Sequence, residues 1–162
     1  MTRPLADMPR ATRAAIRGVL ADIDDTVTTE GKLTSQAYEA LERLKGAGML
    51  VVPITGRPAG WCDHIARMWP VDGVVGENGA LWMRYDDVQR KLLRGYATSE
   101  AERRENRARL DRVAARVLRE VQGSALASDQ LYREGDLATS SQKSTARSWR
   151  RCRAPMSTGS WR

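Results

Sequence analysis

Three carboxylates stand close together at Asp22, Asp24 and Asp25, followed by Thr26, directly after an apolar stretch. Like charges at this spacing repel one another, and a divalent cation or another positive charge among them relieves the repulsion. Mg²⁺, a hard cation, prefers oxygen ligands of this kind. The same residue types also form polar turns and helix caps, so the segment alone leaves a metal site and a plain turn both open.

A second polar segment, Thr55-Gly56-Arg57, follows the apolar run Leu50 to Ile54. A small hydroxyl beside a glycine amide offers an O–H donor and close backbone approach, which holding a phosphoryl oxygen requires. Arg57 fits either a charge-assisted contact to a phosphate or an ion pair with a nearby acid. A third segment, Glu77-Asn78-Gly79-Ala80, follows another short apolar run, and Asn-Gly by itself is typical of a turn.

Strands must bring these three segments together. The apolar runs at 18–23, 50–54 and 71–75 have strand length and are separated by stretches with helical spacing. Thr34 predicts the start of the first helix, and Pro58 predicts the start of the second. This order predicts an α/β fold with a Rossmann-like parallel sheet and right-handed crossovers. Ligands bind at the carboxyl edge of such sheets, where all three polar segments would lie.

The pattern changes from Leu81 onward. Leu81 to Tyr85 and Leu92 to Tyr96 predict a hairpin, and Glu100 to Gln122 predicts a long amphipathic helix. Seven arginines and five acids on this helix predict a solvated surface rather than a phosphate-binding one. The apolar stripe of the helix would consist of Leu110, Val113, Val117, Leu118 and Val121.

In their order and spacing, these motifs resemble the haloacid dehalogenase-like hydrolase superfamily over residues 18 to about 85. Asp22-x-Asp24-x-Thr26 is similar to the first motif of that family, and Thr55-Gly56-Arg57 is similar to the second. Glu77-Asn78-Gly79-Ala80 is similar to a segment of the branch with a large inserted cap, which includes Cof-type sugar phosphatases and sucrose- and trehalose-phosphate phosphatases.

The resemblance implies a Mg²⁺-dependent phosphatase that hydrolyses a phosphomonoester of a small metabolite, such as a sugar phosphate, through an aspartyl-phosphate. Asp22 would be the nucleophile, and Asp24 would be the general acid and then the general base. Mg²⁺ would bind the Asp22 carboxylate and the Asp24 backbone carbonyl. The residues expected to bind the substrate and its phosphoryl group are Thr55, Gly56, Arg57 and Asn78.

Two further motifs of the family, one with a Lys and one with Asp residues, would follow the cap. Lys143 is the only Lys after Lys91 in the sequence, and no acid follows Asp136. The sequence therefore predicts four parts: an N-terminal extension (1–17), the first half of the hydrolase core (18–80), the beginning of an α+β cap (81–137) and an unstructured basic tail (138–162). The alternative to an active enzyme is an incomplete remnant of it that does not turn over substrate.

The net charge is +7 for 162 residues, and most of it belongs to the tail. Six basic residues and no acid lie in 138–162, which leaves the body of the protein nearly neutral. Trp149 and Trp161 among the arginines suggest a nucleic-acid-binding tail, a less favoured alternative. The Ser- and Trp-rich composition is also what an apolar coding stretch gives in another reading frame, which suggests a frame shift near Ala138.

Composition and motifs also limit the cellular setting. The longest apolar run, Met49 to Ile54, is far too short to span a bilayer, and no secretory signal precedes Arg17. Two cysteines are too few for a disulfide framework or a zinc cluster. We therefore expect a cytoplasmic protein whose partner is a small phosphorylated metabolite, not a membrane or a nucleic acid. Trp61 and Trp69, eight residues apart, indicate helix packing or a helix terminus rather than base stacking.

Overall fold

The fold comes from a computed structural model, in which residues 4–141 are described. The chain divides into two compact units, the first ending at Ser99 and the second beginning at Glu100. Within residues 4–141, no helix is both long enough and apolar enough to cross a membrane.

The first unit is an α/β structure built on a five-stranded sheet. In chain order its elements are α1 (Arg10–Ala14), β1 (Gly18–Asp22), β2 (Thr28–Thr29), β3 (Lys32–Leu33), α2 (Ser35–Gly46), β4 (Leu50–Ile54), α3 (Ala59–Met68), β5 (Val74–Gly76), β6 (Leu81–Asp86) and β7 (Lys91–Tyr96). The strand order is β1-β4-β5-β6-β7, in which β1, β4 and β5 are parallel and β6 and β7 are antiparallel to their neighbours. The parallel part confirms the predicted Rossmann-like fold.

Helix α2 begins and ends at the residues that its sequence indicates. The Thr34 hydroxyl accepts a hydrogen bond from the Ala37 amide at 3.2 Å, which satisfies one of the free amides of the first turn. After the helix ends at Gly46, Gly48 has a φ of +75°, a conformation that glycine adopts without strain. Leu41 is the buried residue of the helix.

The core lies between α3 and one face of the sheet. Its buried members include Cys62 and Ile65 of α3 together with Val74, Leu81 and Met83 of β5 and β6. A Cβ atom at Gly76 would lie only 2.4 Å from the Cys62 sulfur, so glycine at this position lets α3 approach the sheet closely.

The residues that the structure describes leave the opposite face of the sheet largely uncovered. Leu20 is 68% exposed, Leu50 57% and Trp82 46%, whereas Val51 and Pro53, which alternate with Leu50 along the strand, are buried. The two crossovers, through α2 and α3, step in the same direction along the sheet. Because such crossovers are right-handed, both helices are placed on the same face.

The hairpin predicted after residue 80 is present, but it belongs to the core sheet. Strands β6 and β7 pair throughout their length, and β6 also pairs antiparallel with β5, where Leu81 lies opposite Gly76. We predicted that a cap begins at residue 81, whereas the structure keeps residues 81–96 in the first unit and divides the chain after Ser99. Burial of Leu81 and Met83 against α3 explains why the hairpin joins this sheet.

The second unit contains α4 (Glu100–Glu120), β8 (Ser124–Leu126) and β9 (Thr139–Ser141). Strand β9 pairs antiparallel with β8, although residues 138–162 were predicted to be unstructured. Backbone pairing of this kind needs no apolar side chains, which is why composition did not reveal it. Residues 142–162, which hold the rest of the predicted basic tail, lie outside the described residues.

The predicted helix in the second unit is confirmed, but its predicted apolar stripe is only partly right. Val113, Leu118 and Val121 are all at least 44% exposed, and Ala114 is the buried residue of α4. Ion pairs four residues apart cover the solvated surface, as the charge pattern predicts. They join Arg104 to Glu100, Arg109 to Glu105 and Arg116 to Glu120.

Candidate active site

The three polar segments singled out in the sequence meet at the carboxyl edge of the parallel strands. Asp22 lies opposite Ile54 at the ends of β1 and β4, and Ile54 lies opposite Val75 of β5. The segments that begin at Asp22, Thr55 and Glu77 therefore leave three adjacent strands at the same edge. This is the edge at which open α/β sheets bind their ligands.

The first segment is an irregular helical turn at Ile23–Val27. Asp25 has a φ of +57°, which bends the chain after the strand. The buried Thr28 hydroxyl donates to the Ile23 carbonyl at 2.9 Å and accepts from the Asp25 amide at 3.3 Å. Ile23 itself is buried in the core, and the Asp22 side chain before it is exposed. The turn is thus anchored on both sides of Asp24.

Arg57 pairs with an acid, which is one of the two roles that the sequence left open. Its Nε lies 3.2 and 3.0 Å from the two carboxylate oxygens of Asp24, and its Nη2 lies 2.6 Å from Oδ1. The guanidinium carbon also lies 4.5 Å from the ring centre of Trp61. A partly exposed ion pair contributes little to stability, so its main effect is to orient the Asp24 carboxylate.

Thr55 is buried and joins the second and third segments. Its amide donates to the Val75 carbonyl at 2.9 Å, and its carbonyl accepts from the Asn78 amide at 3.1 Å. Its hydroxyl oxygen accepts from the Arg57 amide at 3.0 Å. A hydroxyl group also carries a hydrogen that it can donate, as the predicted contact to a phosphoryl oxygen requires.

Gly56 and Asn78, both predicted to bind substrate, lie against each other. A Cβ atom at position 56 would lie 3.0 Å from Oδ1 of Asn78, so glycine leaves room for this amide side chain. Asn78 has a φ of +57°, in the left-handed region that Asn tolerates better than most residues. The turn therefore brings the predicted residues of two neighbouring strands together.

Glu77 is the residue of this site to which we assigned no role from sequence. It is buried, and its Oε1 accepts a hydrogen bond at 2.9 Å from the amide of Ala59, the first residue of α3. Its own amide donates to the Arg57 carbonyl at 3.1 Å. The sequence signal that could have identified this role is a carboxylate directly after a buried strand. Glu77 fixes both the Arg57 loop and the start of α3.

The Cys62 thiol is fully buried. Burial and, to a lesser extent, the charge of Glu77 raise the pKa of this thiol from 9.0 to about 12. A thiol with so high a pKa stays protonated at neutral pH, and a protonated thiol is a poor nucleophile. Cys62 therefore belongs to the core rather than to the reactive groups of the site.

Mg²⁺ commonly takes one or two carboxylates together with water and substrate oxygens. The exposed Asp22 carboxylate fits that role, whereas the Asp24 carboxylate is held by Arg57. Among residues 4–141 there is no group of three or more His, Cys, Asp or Glu side chains placed to hold a metal. The residues present therefore suit a cation that keeps most of its water and substrate ligands.

Residues 19–105 match the family model of the haloacid dehalogenase-like hydrolases. The match covers more than half of the chain, and the chain belongs to this family of hydrolases. The family assignment agrees with the resemblance carried by the motifs at Asp22 and Thr55. No match was found among the curated proteins.

Three solved structures are similar to this chain. A Thermoplasma acidophilum protein is 15% identical with a TM-score of 0.58, over 84% of this chain and 56% of that one, and this likeness supports the fold alone. A phosphatase of the same superfamily from Bacteroides thetaiotaomicron is 24% identical, over 68% and 40% of the two chains, with a TM-score of 0.46. A Geobacillus kaustophilus protein is 26% identical, over 62% and 37%, with a TM-score of 0.45. This chain spans between 37% and 56% of their lengths.

Proposed function

We propose that this hydrolase is a Mg²⁺-dependent phosphatase that cleaves a phosphomonoester of a small metabolite through an aspartyl-phosphate on Asp22. The observation that carries the proposal is the pairing of Arg57 with Asp24 beside Asp22 at the sheet edge. It provides an exposed carboxylate as nucleophile and a second, oriented carboxyl group two residues away. Thr55 on the neighbouring strand adds a hydroxyl for the phosphoryl group.

Each of the two carboxyl groups has a distinct part in the proposed reaction. A carboxylate oxygen of Asp22 attacks phosphorus in line, and the bond from phosphorus to the leaving oxygen breaks. Asp24 then keeps one carboxyl oxygen on Arg57, and its other oxygen, protonated, donates the proton to the leaving oxygen, so the product leaves as an alcohol. Asp24 then takes a proton from water, whose oxygen attacks phosphorus and releases inorganic phosphate and the free Asp22 carboxylate.

The metal would be held by the Asp22 carboxylate and the backbone carbonyl of Asp24. When bound, Mg²⁺ offsets the repulsion between an anionic nucleophile and an anionic phosphate ester. The chain's own residues do the rest: Arg57 orients Asp24, and Thr55 donates its hydroxyl hydrogen to a phosphoryl oxygen. Gly56 and Asn78 line the position beside it.

Hydrolysis of p-nitrophenyl phosphate, with Mg²⁺ and then with excess chelator, tests the proposal. We expect turnover that requires the metal and that Asp22→Asn reduces to background. Asp25→Asn is the matched control, because Asp25 is an exposed neighbour with a positive φ that Asn accepts. Turnover that survives Asp22→Asn would contradict the proposal, and a folded wild-type protein without turnover would identify the chain as an inactive remnant.

A further inference from the structure

A hollow of about 310 Å³ lies on the first turns of α3, lined by Gly60, Trp61 and His64. Its volume is at the lower end of the range for small-molecule pockets. Gly60 contributes no side chain, and the other two residues are three apart on the helix, where side chains are neighbours. The hollow is therefore a shallow shelf between an indole and an imidazole.

The two tryptophans lie at opposite ends of α3, as one of the two predicted alternatives has it: Trp61 is in the first turn and Trp69 follows the last residue. Trp69 packs against the core cluster, whereas Trp61 is 45% exposed. The Trp61 ring contacts the Arg57 guanidinium, whose carbon lies 4.5 Å from the centre of the ring. Arg57 in turn holds the carboxylate of Asp24. Only the Arg57 side chain therefore connects the shelf to the Asp24 carboxyl group, which would protonate the leaving oxygen.

The shelf suits a particular class of leaving group. Its walls are an indole, an imidazole and a glycine backbone, which offer ring faces and few hydrogen-bonding atoms. A flat, weakly polar ring gains stacking and dispersion contacts there. A polyhydroxylated chain would give up hydrogen bonds to water without replacing them. The hollow of about 310 Å³ leaves room for one flat ring to lie against the shelf.

We propose that Trp61 and His64 form a leaving-group subsite that favours phosphomonoesters of flat aromatic or heteroaromatic rings over those of open polyhydroxylated chains. The proposal rests on the proposed function, because the phosphoryl end of the same ligand would occupy the position beside Asp22 and Thr55. Trp61 is then a specificity-determining residue. Its effect is on binding of the ring and not on binding of the phosphoryl group.

Phosphonates allow binding to be measured without turnover, because their carbon–phosphorus bond is not hydrolysed by a phosphatase. The probes are phenylphosphonate, methylphosphonate and 2,3-dihydroxypropylphosphonate, titrated calorimetrically into the full chain with Mg²⁺ present. We expect phenylphosphonate to bind about five- to tenfold more tightly than the other two. Trp61→Ala should remove this preference and leave methylphosphonate affinity unchanged, while Trp61→Phe should keep most of it.

Trp82→Ala is the matched control, because Trp82 is equally exposed but lies on the uncovered face of the sheet, away from α3. It should change none of the three affinities. Equal affinities for the three phosphonates, or a preference that survives Trp61→Ala, would overturn the subsite alone. If methylphosphonate and inorganic phosphate both fail to bind, the proposed phosphoryl site is overturned, and the subsite with it.

Discussion

A single arginine connects most of the candidate active site. The edge of the Arg57 guanidinium binds Asp24, its face lies over Trp61, and its backbone amide donates to the Thr55 hydroxyl. A planar guanidinium can bind a carboxylate with its edge and cover a ring with its face at the same time, whereas an ammonium cannot. The sequence predicted two possible partners because carboxylate and phosphate both match the guanidinium fork. Which partner Arg57 contacts depends on where the loops after β1 and β4 meet, and this is a property of the tertiary structure.

Replacement of Arg57 tests its orienting role. We expect Arg57→Ala to lower kcat/KM for p-nitrophenyl phosphate by roughly 10- to 100-fold, because a misplaced Asp24 carboxyl no longer reaches the leaving oxygen. Arg57→Lys should restore only part of the activity. Arg67→Ala is the control, since Arg67 pairs with Asp63 and lies 4.8 Å from the Tyr85 ring centre, a similar set of contacts. Equal losses in the Arg57 and Arg67 variants would contradict an orienting role.

The Cys62 thiol gives stability a dependence on alkaline pH. Its pKa in the folded chain is about 12, raised from 9.0 by burial and by Glu77, so the folded state holds this proton more tightly than the unfolded state. The resulting stabilisation is present below about pH 9 and is lost as the pH rises toward 12. Urea unfolding should show a smaller fall in the free energy of unfolding between about pH 9 and about pH 11 in Cys62→Ala than in wild type. Identical slopes would contradict this.

The start of helix α3 is held by a residue that comes 18 positions later in the chain. The Glu77 carboxylate accepts the Ala59 amide and occupies the place of a capping side chain, which Pro58 does not supply. Helix start signals are local, so Pro58 predicted where α3 begins. The cap itself could not be predicted, since it depends on β5 lying beside β4.

Glu77→Ala should lower the free energy of unfolding by about 1 to 3 kcal/mol, because it leaves a buried amide without its acceptor. Glu77→Gln should cost less, since the amide oxygen of Gln can still accept from Ala59. Urea unfolding at neutral pH measures both. Glu42→Ala, an exposed position on α2, should stay within about 0.5 kcal/mol of wild type. A loss at Glu77 no larger than that at Glu42 would show that the contact is not stabilising.

For the whole molecule, periodicity and motif order predicted the parallel sheet and the edge at which the site lies. They did not predict the boundary between units. The alternating apolar residues of Leu81–Asp86 form a strand whichever sheet they join, and only burial against α3 assigns them to the core. Likewise the pairing of Thr139–Ser141 with β8 is made by backbone groups, which composition does not report.

We expect the uncovered face of the sheet to affect behaviour in solution. Leu20 and Leu50 lie exposed on that face, and exposed apolar surface favours association. Leu20→Lys with Leu50→Lys should lower binding of a hydrophobic dye and reduce concentration-dependent light scattering. Val88→Lys is the control, because Val88 is 95% exposed but lies alone at the β6–β7 turn. An equal change in the control would show that added charge, and not this face, is responsible.

Strand β1 has a neighbour on one side in the sheet formed by the described residues, and that neighbour, β4, lies more than 30 positions along the chain. The hairpin of β6 and β7 closes locally, and β5 is enclosed between two strands. Pairing between distant segments forms late in folding, and an outer strand separates at the lowest free-energy cost. Asp22 lies on such an outer strand, and we expect local opening of β1, short of global unfolding, to change the population of competent nucleophile.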